Sequence, residues 1–192
     1  MTERCTLPDV KAQLVEHLLK YSVKRGDFTL KSGKKSPYFL DSKQTACRPD
    51  GILLVAQAVL ELVPEDATAI GGLTMGADPV AYATAAYAAT VGRSLKVFAV
   101  RKEAKDHGVV GRIAGALDPG DKVVLTEDTA SRGTSILEAA TAVRDFGAEP
   151  ILMIALVDRG GTAAAIAEEN GIPYAAVVTA PDLGFEFDSA TP

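Results

Sequence analysis

VVLTEDTASRGTS, residues 123–135, begins as an apolar strand, ends that strand in two adjacent carboxylates and continues as a loop of small, hydroxyl-bearing residues. A helix is predicted to begin at about residue 134. The backbone N–H groups, hydroxyls and helix N-terminus of such a loop form a cradle for phosphate. Glu127 and Asp128 repel phosphate themselves, but carboxylates can hold ribose hydroxyls and a hydrated Mg²⁺ ion. The stretch therefore predicts a site for a sugar phosphate at the end of a buried strand.

The alternative interpretation of this stretch is a plain strand end followed by a helix-capping Thr-Ser loop. Capping alone explains the hydroxyl-bearing residues, but it does not explain Glu127 and Asp128. Two carboxylates at the end of an apolar strand are costly unless they have a partner. The ligand site is therefore the favoured interpretation.

Apolar strands alternate with helices on both sides of this stretch. Such alternation predicts an α/β fold, with a doubly wound, mainly parallel central sheet and helices on both faces. Ligands bind such sheets at the carboxyl ends of the strands. Unusual residues follow three of these ends, at 71–76, 127–135 and 158–159. The predicted strands are 67–73, 96–100, 122–128, 151–158 and 174–179; the predicted helices are 77–91, 134–146 and 162–170; a polar, glycine-containing loop is predicted at 101–112.

A different pattern precedes the alternation. Residues 9–22 have apolar side chains at helical spacing, and 49–63 is a second predicted helix. Between them, 28–30 and 37–41 flank the turn-like KSGKK and are predicted to form a β-hairpin. We therefore expect a single domain over residues 1–192. It would comprise a small N-terminal helix and hairpin flap at about 1–45, a core at about 46–180 and a tail at 181–192.

Composition restricts the class of protein. The chain has 192 residues, 47% of them hydrophobic and 23% charged, which suits one globular domain. The formal net charge of −5 argues against binding to nucleic acid. No apolar run is long enough for a membrane helix, and the N-terminus lacks the apolar core of a signal peptide. We therefore expect a cytoplasmic protein whose two cysteines, Cys5 and Cys47, are free thiols.

Four other segments carry chemistry that is ambiguous when each is taken alone. The basic hairpin FTLKSGKKSPYFLD, 28–41, could be a solvated turn, and VRKEAKDHG, 100–108, could be an exposed charged loop. GGLTMGADP, 71–79, could be a tight turn, although its glycines also allow close backbone approach to an anion. The Asp158-Arg159 pair could form a surface ion pair, or the arginine could bind a carboxylate or carbonyl edge.

These segments together resemble a known family. The 123–135 stretch resembles the phosphoribosyl pyrophosphate motif of the type I phosphoribosyltransferases. The hairpin motif at 28–41 and the VRKEAKDHG loop narrow the resemblance to the orotate phosphoribosyltransferases, over roughly residues 25–160. The resemblance implies the type I phosphoribosyltransferase fold. It also implies a Mg²⁺-dependent reaction of orotate with phosphoribosyl pyrophosphate, which gives orotidine 5′-phosphate and pyrophosphate in the synthesis of UMP.

The resemblance also assigns site residues. Catalytic roles are implied for Lys102, Lys105, His107 and Asp128. Orotate would be bound by Phe39, Leu40, Ser131 and Arg159. Mg²⁺ would be held mainly through substrate oxygens and water, near Glu127 and Asp128. The implied binding set for phosphoribosyl pyrophosphate is Lys31, Arg101, Lys102, Lys105, His107, Glu127, Asp128, Thr129, Ala130, Ser131, Arg132, Gly133, Thr134 and Ser135.

Three positions depart from the family pattern. Met75 stands where some relatives have a lysine, so it cannot supply that positive charge to the pyrophosphate. Leu40 stands where many relatives have an aromatic residue. Arg132 replaces a small residue of many relatives, and the sequence indicates no separate role for it.

The resemblance further implies a homodimer in which the 101–112 loop is donated to the neighbouring active site. Two other functions share the donor motif. A purine phosphoribosyltransferase should lack the 28–41 and 100–108 motifs. A regulatory protein that senses phosphoribosyl pyrophosphate should have a nucleic-acid-binding segment, for which this sequence has no basic stripe. Both are therefore less favoured than the orotate enzyme.

Overall fold

The computed structural model describes residues 7–29, 33, 35–105 and 111–188. A 3-10 turn, Pro181–Leu183, lies near the end of this part of the chain. The helices are α1 (Leu7–Tyr21), α2 (Lys43–Ala46), α3 (Pro49–Leu60), α4 (Ala77–Thr90), α5 (Thr134–Phe146) and α6 (Ala163–Glu169). The strands are β1 (Val23–Thr29), β2 (Lys35–Leu40), β3 (Ala69–Leu73), β4 (Lys96–Lys105), β5 (Gly111–Gly115), β6 (Lys122–Ala130), β7 (Glu149–Asp158) and β8 (Tyr174–Thr179).

The central sheet has the order β5-β4-β3-β6-β7-β8. Its neighbouring strands are parallel, apart from the antiparallel pair β4 and β5. From β3 the chain runs outward through β4 and β5. It then returns to the other side of β3 and continues outward through β6, β7 and β8. The prediction of a doubly wound, mainly parallel sheet is confirmed, and the reversal between β3 and β6 opens a crevice at their carboxyl ends.

Helices cover the sheet on both faces, as predicted. Alternate residues of β6 point to opposite faces, because side chains alternate along a strand. Val124 packs in a cluster that includes Leu14 of α1 and residues of α3 and α4. Val123 and Leu125 pack in a second cluster with α5. All three β6 residues are fully buried, which explains why this strand has a continuous apolar sequence instead of alternating polarity.

β1 and β2 form the predicted hairpin. β1 begins five residues before the predicted strand 28–30, and β2 begins two residues before the predicted strand 37–41. Ser22 and Asp41 meet at its base, where the Asp41 N–H donates to the Ser22 carbonyl oxygen at 2.9 Å. Side chains of β2 alternate between buried and exposed. The hairpin therefore leaves and rejoins the rest of the molecule at one point, with one face of β2 turned inward.

The predicted loop over residues 101–112 was wrong at both of its ends. β4 continues to Lys105, and β5 begins at Gly111 and pairs with β4 in antiparallel fashion. β5 is an edge strand of five residues, GRIAG, and this short sequence with a glycine at each end lacks the apolar run by which the other strands were predicted. Residues 106–110 lie outside the described part of the chain.

Two further predictions concern the chain as a whole. Cys47 is an exposed free thiol, as predicted. Cys5 lies outside the described residues. Within the described ranges, no helix has both the length and the apolarity needed to cross a bilayer.

Candidate active site

The crevice between β3 and β6 contains a pocket at the predicted position. It lies at the carboxyl ends of both strands and is closed on one side by the beginning of α5 and on another by α2. Two of the three unusual strand ends, 71–76 and 127–135, meet here. The lining residues are Lys43, Leu73, Thr74, Met75, Gly76, Lys102, Thr126, Glu127, Asp128, Ser135 and Ile136.

Asp128 is held by several donors. Its Oδ2 accepts hydrogen bonds from Ser42 Oγ, at 2.9 Å, and from Lys43 Nζ. Its Oδ1 accepts from the Thr129 backbone N–H at 3.0 Å. The hydroxyls of Thr129 and Ser42 lie 2.9 Å apart, which joins the end of β6 to the residues just after the hairpin. Asp128 is 8% exposed, and the Lys43 ammonium compensates the charge of its carboxylate.

Glu127 points to the other face of β6, toward the beginning of α5. Its Oε2 is buried without a hydrogen bond to the described residues. Burial, and then the neighbouring charge of Asp128, raises the pKa of Glu127 to about 7, against the opposing effects of Ser135 and Lys43. Successive residues on one strand thus place two different carboxylates on either side of the crevice. Asp128 accepts several hydrogen bonds and pairs with a lysine, whereas one oxygen of Glu127 is buried without a hydrogen bond to the described residues.

The raised pKa of Glu127 predicts a pH dependence of stability. A carboxyl whose pKa rises on folding destabilises the folded state once it ionises. The contribution of Glu127 to stability is therefore most favourable below its usual pKa of 4.5 and is lost as the pH rises to about 7. Between pH 5 and pH 8 the free energy of unfolding of the metal-free protein should fall by roughly 2–3 kcal/mol relative to Glu127→Gln. Urea unfolding at both pH values measures the difference.

The matched control for that measurement is Glu138→Gln, which removes an exposed glutamate of α5. This variant should keep the pH dependence of the wild type. An equal pH dependence in the wild type and in Glu127→Gln would contradict the assignment to Glu127.

The loop 131–135 is fixed against the end of β7. The backbone N–H groups of Arg159 and Gly160 both donate to the Ala130 carbonyl oxygen, at 2.9 and 3.2 Å. A Cβ atom on Gly160 would lie 1.4 Å from the Ser131 carbonyl oxygen, so only glycine fits there. Gly133 has a φ of +75° and precedes the first residue of α5. The loop therefore presents the N-terminus of a thirteen-residue helix at the pocket, as the cradle prediction requires.

The 71–76 segment follows β3 into the same pocket. A Cβ atom on Gly72 would lie 2.3 Å from the Thr126 carbonyl oxygen, and one on Gly76 would lie 2.5 Å from Asp128 Oδ1. These glycines therefore allow the segment to lie directly on β6. Met75 is 67% exposed at the pocket and brings no charge. Lys43 brings a cation into the pocket from α2 instead.

Arg159, at the third strand end, is buried and points to the hairpin. Its NH2 group donates to Ser36 Oγ at 2.9 Å and to the Tyr38 carbonyl oxygen at 3.2 Å. Its guanidinium lies 4.4 Å from the centre of the Tyr38 ring. The Tyr38 ring stacks on Phe185 at 3.9 Å, and the Arg25 guanidinium lies 4.8 Å from the Phe185 ring. Arg159 is therefore the innermost layer of a stack that joins both hairpin strands to the end of β7.

The structure separates two residues that were predicted to flank one ligand. Phe39 is 42% exposed and its ring centre lies 5.8 Å from that of Phe28. Leu40 is 7% exposed and packs in the core with α1 and α3. Neighbours on a strand point to opposite faces, so the side chains of Phe39 and Leu40 lie on opposite faces of β2, and the binding of orotate by both residues stays a prediction.

The remaining predicted residues lie at different distances from the pocket. Lys102 lines it. Arg101 donates to the Gly111 carbonyl oxygen at 3.3 Å, across the β4–β5 pair. Lys105 is the last residue of β4. Lys31 and His107 lie outside the described residues. Of the 127–135 run, Ser131, Arg132 and Thr134 are exposed, and Thr129 and Ser135 are half-buried.

Ser42 and Lys43 were missed by the sequence analysis. They follow the hairpin motif directly, and the polar run after an apolar strand was the available signal. Tyr38 was missed as a partner of Arg159, although the alternation along β2 places it on the buried face. Asp188, which pairs with Arg159, lies in a tail that the sequence did not interpret.

Comparisons with known proteins agree on one family, although no protein-family model matches the chain. The orotate phosphoribosyltransferase of Aquifex aeolicus is 42% identical over 167 residues, which cover 85% of this chain and 91% of that protein. The solved structure of Mycobacterium tuberculosis H37Rv orotate phosphoribosyltransferase with Fe(III) dicitrate has a TM-score of 0.83 and 37% identity, and covers 92% of this chain and 99% of that one. The structure of that enzyme with 5-phospho-alpha-D-ribosyl 1-diphosphate has a TM-score of 0.78 and 34% identity, with the same coverage. The chain therefore belongs to the orotate phosphoribosyltransferase family.

Proposed function

We propose that this chain transfers the 5-phosphoribosyl group of phosphoribosyl pyrophosphate to orotate, giving orotidine 5′-phosphate and pyrophosphate for the synthesis of UMP. The observation that carries the proposal is the arrangement at the end of β6. Two carboxylates lie in the crevice, and the N-terminus of α5 follows after a tight glycine turn. The relative from M. tuberculosis has been solved with this donor.

The donor would occupy the crevice with its 5′-phosphate in the loop 131–135. The helix N-terminus and the loop N–H groups suit a phosphate, which carries the opposite charge. The ribose hydroxyls would then face Glu127 and Asp128. Lys43 and Lys102 are the described cations of the pocket, and they would face the pyrophosphate end together with Lys31, Arg101, Lys105 and His107.

The residues present fit a Mg²⁺ ion held mainly by the substrate. Glu127 Oε2 is buried without a hydrogen bond to the described residues, and Asp128 lies beside it. Within the described residues there is no cluster of three or more side chains that could bind a metal by themselves. Substrate oxygens and water would therefore complete the coordination. When bound, Mg²⁺ neutralises negative charge on the pyrophosphate as it leaves.

The protein's own contribution is alignment and charge. The bond between C1 and oxygen breaks with cation-like character on the ribose, much as in glycoside cleavage. The attacking nitrogen of orotate forms the new bond to C1 and loses its proton, for which water or the departing pyrophosphate is the acceptor, so no side chain is assigned as a strong general base. Lys102, Lys105 and His107 would neutralise the leaving pyrophosphate, and Asp128 would fix the ribose. Closure of the 101–112 segment over the site would keep water away from the cation-like ribose.

Orotate would bind between the loop 131–135 and the β1–β2 hairpin. Arg159 would contact its carboxylate or carbonyl edge, because a guanidinium can bind a planar acceptor through two hydrogen bonds. Phe39 offers an exposed ring on the outer face of β2, and Ser131 offers a hydroxyl at the loop. Leu40 belongs to the same proposed contact, although its side chain lies in the core on the face of β2 opposite to Phe39.

The assembly belongs to the same proposal. We propose that residues 1–192 form one domain and that the protein is cytoplasmic; the core that α1 and α3 share supports the single domain. The functional unit would be a homodimer in which the 101–112 segment reaches the neighbouring active site. The β4–β5 pair that carries this segment lies at one edge of the sheet, where an extension can leave its own subunit.

The base that is used tests the proposed function. Purified wild-type protein with phosphoribosyl pyrophosphate and Mg²⁺ should consume orotate, followed as loss of orotate absorbance. It should give no detectable nucleotide with adenine, guanine or hypoxanthine. Turnover of a purine would favour the purine enzyme, and binding of the donor without turnover of any base would favour a sensor of phosphoribosyl pyrophosphate.

A further inference from the structure

The tail segment, residues 180–188, folds back over the end of β7. The Ala180 N–H donates to the Asp158 carbonyl oxygen at 2.8 Å, and the Asp188 N–H donates to the Arg159 carbonyl oxygen at 3.0 Å. The Phe187 ring lies so close to Gly161 that a Cβ atom there would be 2.7 Å from it. The tail segment therefore packs directly around Arg159.

Asp188 forms an ion pair with Arg159. Its Oδ2 lies 2.8 Å from Arg159 Nε, out of line with the N–H bond. The Arg159 side chain is 6% exposed and that of Asp188 is 22% exposed. The NH2 group of the same guanidinium binds Ser36 and the Tyr38 carbonyl. The guanidinium is thus held by the tail segment at one nitrogen and by the hairpin at another.

The tail segment also acts on Arg159 through the hairpin. Phe185 stacks on the Tyr38 ring with an angle of 12° between the planes. The Arg159 guanidinium lies 4.4 Å from the centre of the same ring. Asp188 therefore contacts the guanidinium directly, and Phe185 packs on the Tyr38 ring that lies beside it.

We propose that Asp188 is a positioning residue for the acceptor base, which holds the Arg159 guanidinium in the orientation that binds orotate. This inference rests on the proposed function, in which Arg159 contacts orotate. A flexible arginine loses rotamer freedom when it binds a planar ligand, and a guanidinium that is already fixed loses less. Asp188 should therefore affect the binding of orotate and leave the binding of the donor unchanged.

The test compares Asp188→Ala with Asp182→Ala. Asp182 lies in the same tail segment with a similar side-chain exposure of 29%, and it pairs with Lys11 instead of Arg159. Asp188→Ala should raise the KM for orotate about tenfold, with kcat and the KM for the donor within about twofold of wild type. Asp182→Ala should leave both KM values within about twofold, whatever it costs in stability.

A double-mutant cycle distinguishes positioning from a general loss of structure. If Asp188 acts through Arg159, Asp188→Ala should raise the KM for orotate no further in an Arg159→Ala background. Additive losses would overturn the proposal, as would equal losses toward both substrates. Tighter orotate binding by Asp188→Ala would also overturn it, because Asp188 would then compete with the ligand. Absence of orotate turnover by the wild type would instead reject the proposed function, before any variant is compared.

Discussion

Asp128→Asn should lower turnover on the order of 100-fold with orotate, phosphoribosyl pyrophosphate and saturating Mg²⁺, measured as the initial rate of orotate consumption. The substitution keeps the size of the side chain and removes its charge. In the proposed reaction this carboxylate fixes the ribose while positive charge develops on the ribose. The substitution should therefore lower mainly kcat. The Lys43 ammonium would also lose its counter-ion within the pocket.

Asp121→Asn is the matched control for this substitution. Asp121 immediately precedes β6, at the end of the strand opposite to Asp128, and each of these aspartates is 8% exposed. Each is paired with one lysine, which is Lys96 in the case of Asp121. Asp121→Asn should lower stability and leave turnover near the wild-type rate. Near-normal turnover by Asp128→Asn with saturating Mg²⁺ would contradict the role proposed for Asp128.

Mixing two inactive variants should restore activity if the 101–112 segment serves the neighbouring subunit. Lys105→Ala damages that segment, and Asp128→Asn damages the ribose site. When they are unfolded and refolded together in equal amounts, about half of the dimers should be mixed, and each mixed dimer should have one intact site. The rate should then return to about a quarter of the wild-type rate per site. If each segment served its own subunit, no activity should return once mass spectrometry had demonstrated mixed dimers.

A chain that carries both substitutions provides the reciprocal control. Refolded with an equal amount of wild-type chain, it should give about a quarter of the wild-type rate under exchange, because both sites of a mixed dimer are then damaged. The same mixture should give about half of the wild-type rate if each segment serves its own subunit. Exchange of the segment therefore predicts the higher rate of the two models in the first mixture and the lower rate in the second.

The parts of the fold that the sequence predicted are those where burial leaves few choices. β8 was predicted to the residue, because an apolar run lies between two prolines, Pro173 and Pro181. Glu127 and Asp128 were predicted to end their strand, but β6 continues two residues further, to Ala130, which pairs with Asp158 of β7. β5 was not predicted, because it is a five-residue edge strand with a glycine at each end and no apolar run.

The candidate site was predicted only where its residues are close in sequence. Leu40 was assigned to orotate by resemblance to the family motif, which could not show that its side chain lies on the face of β2 opposite to Phe39. Lys43 and Asp128 are 85 residues apart, and the ion pair between them depends on where the hairpin returns to the core. Asp188 reaches Arg159 only because the chain turns back after β8. No local pattern encodes such contacts.

The closed base of the hairpin has a consequence for how base choice can change in evolution or in protein engineering. Because Ser22 and Asp41 meet there, residues 23–40 form one contiguous block that can be exchanged without moving the chain on either side. The described donor site is spread over α2, β3, β4, β6 and α5, and a graft of the block has to keep Lys31, which is proposed to face the pyrophosphate end of the donor. A graft that seeks a new acceptor base has a natural boundary just before Asp41. The graft has to retain an aromatic ring at position 38, because Phe185 of the tail and the Arg159 guanidinium both pack against the Tyr38 ring.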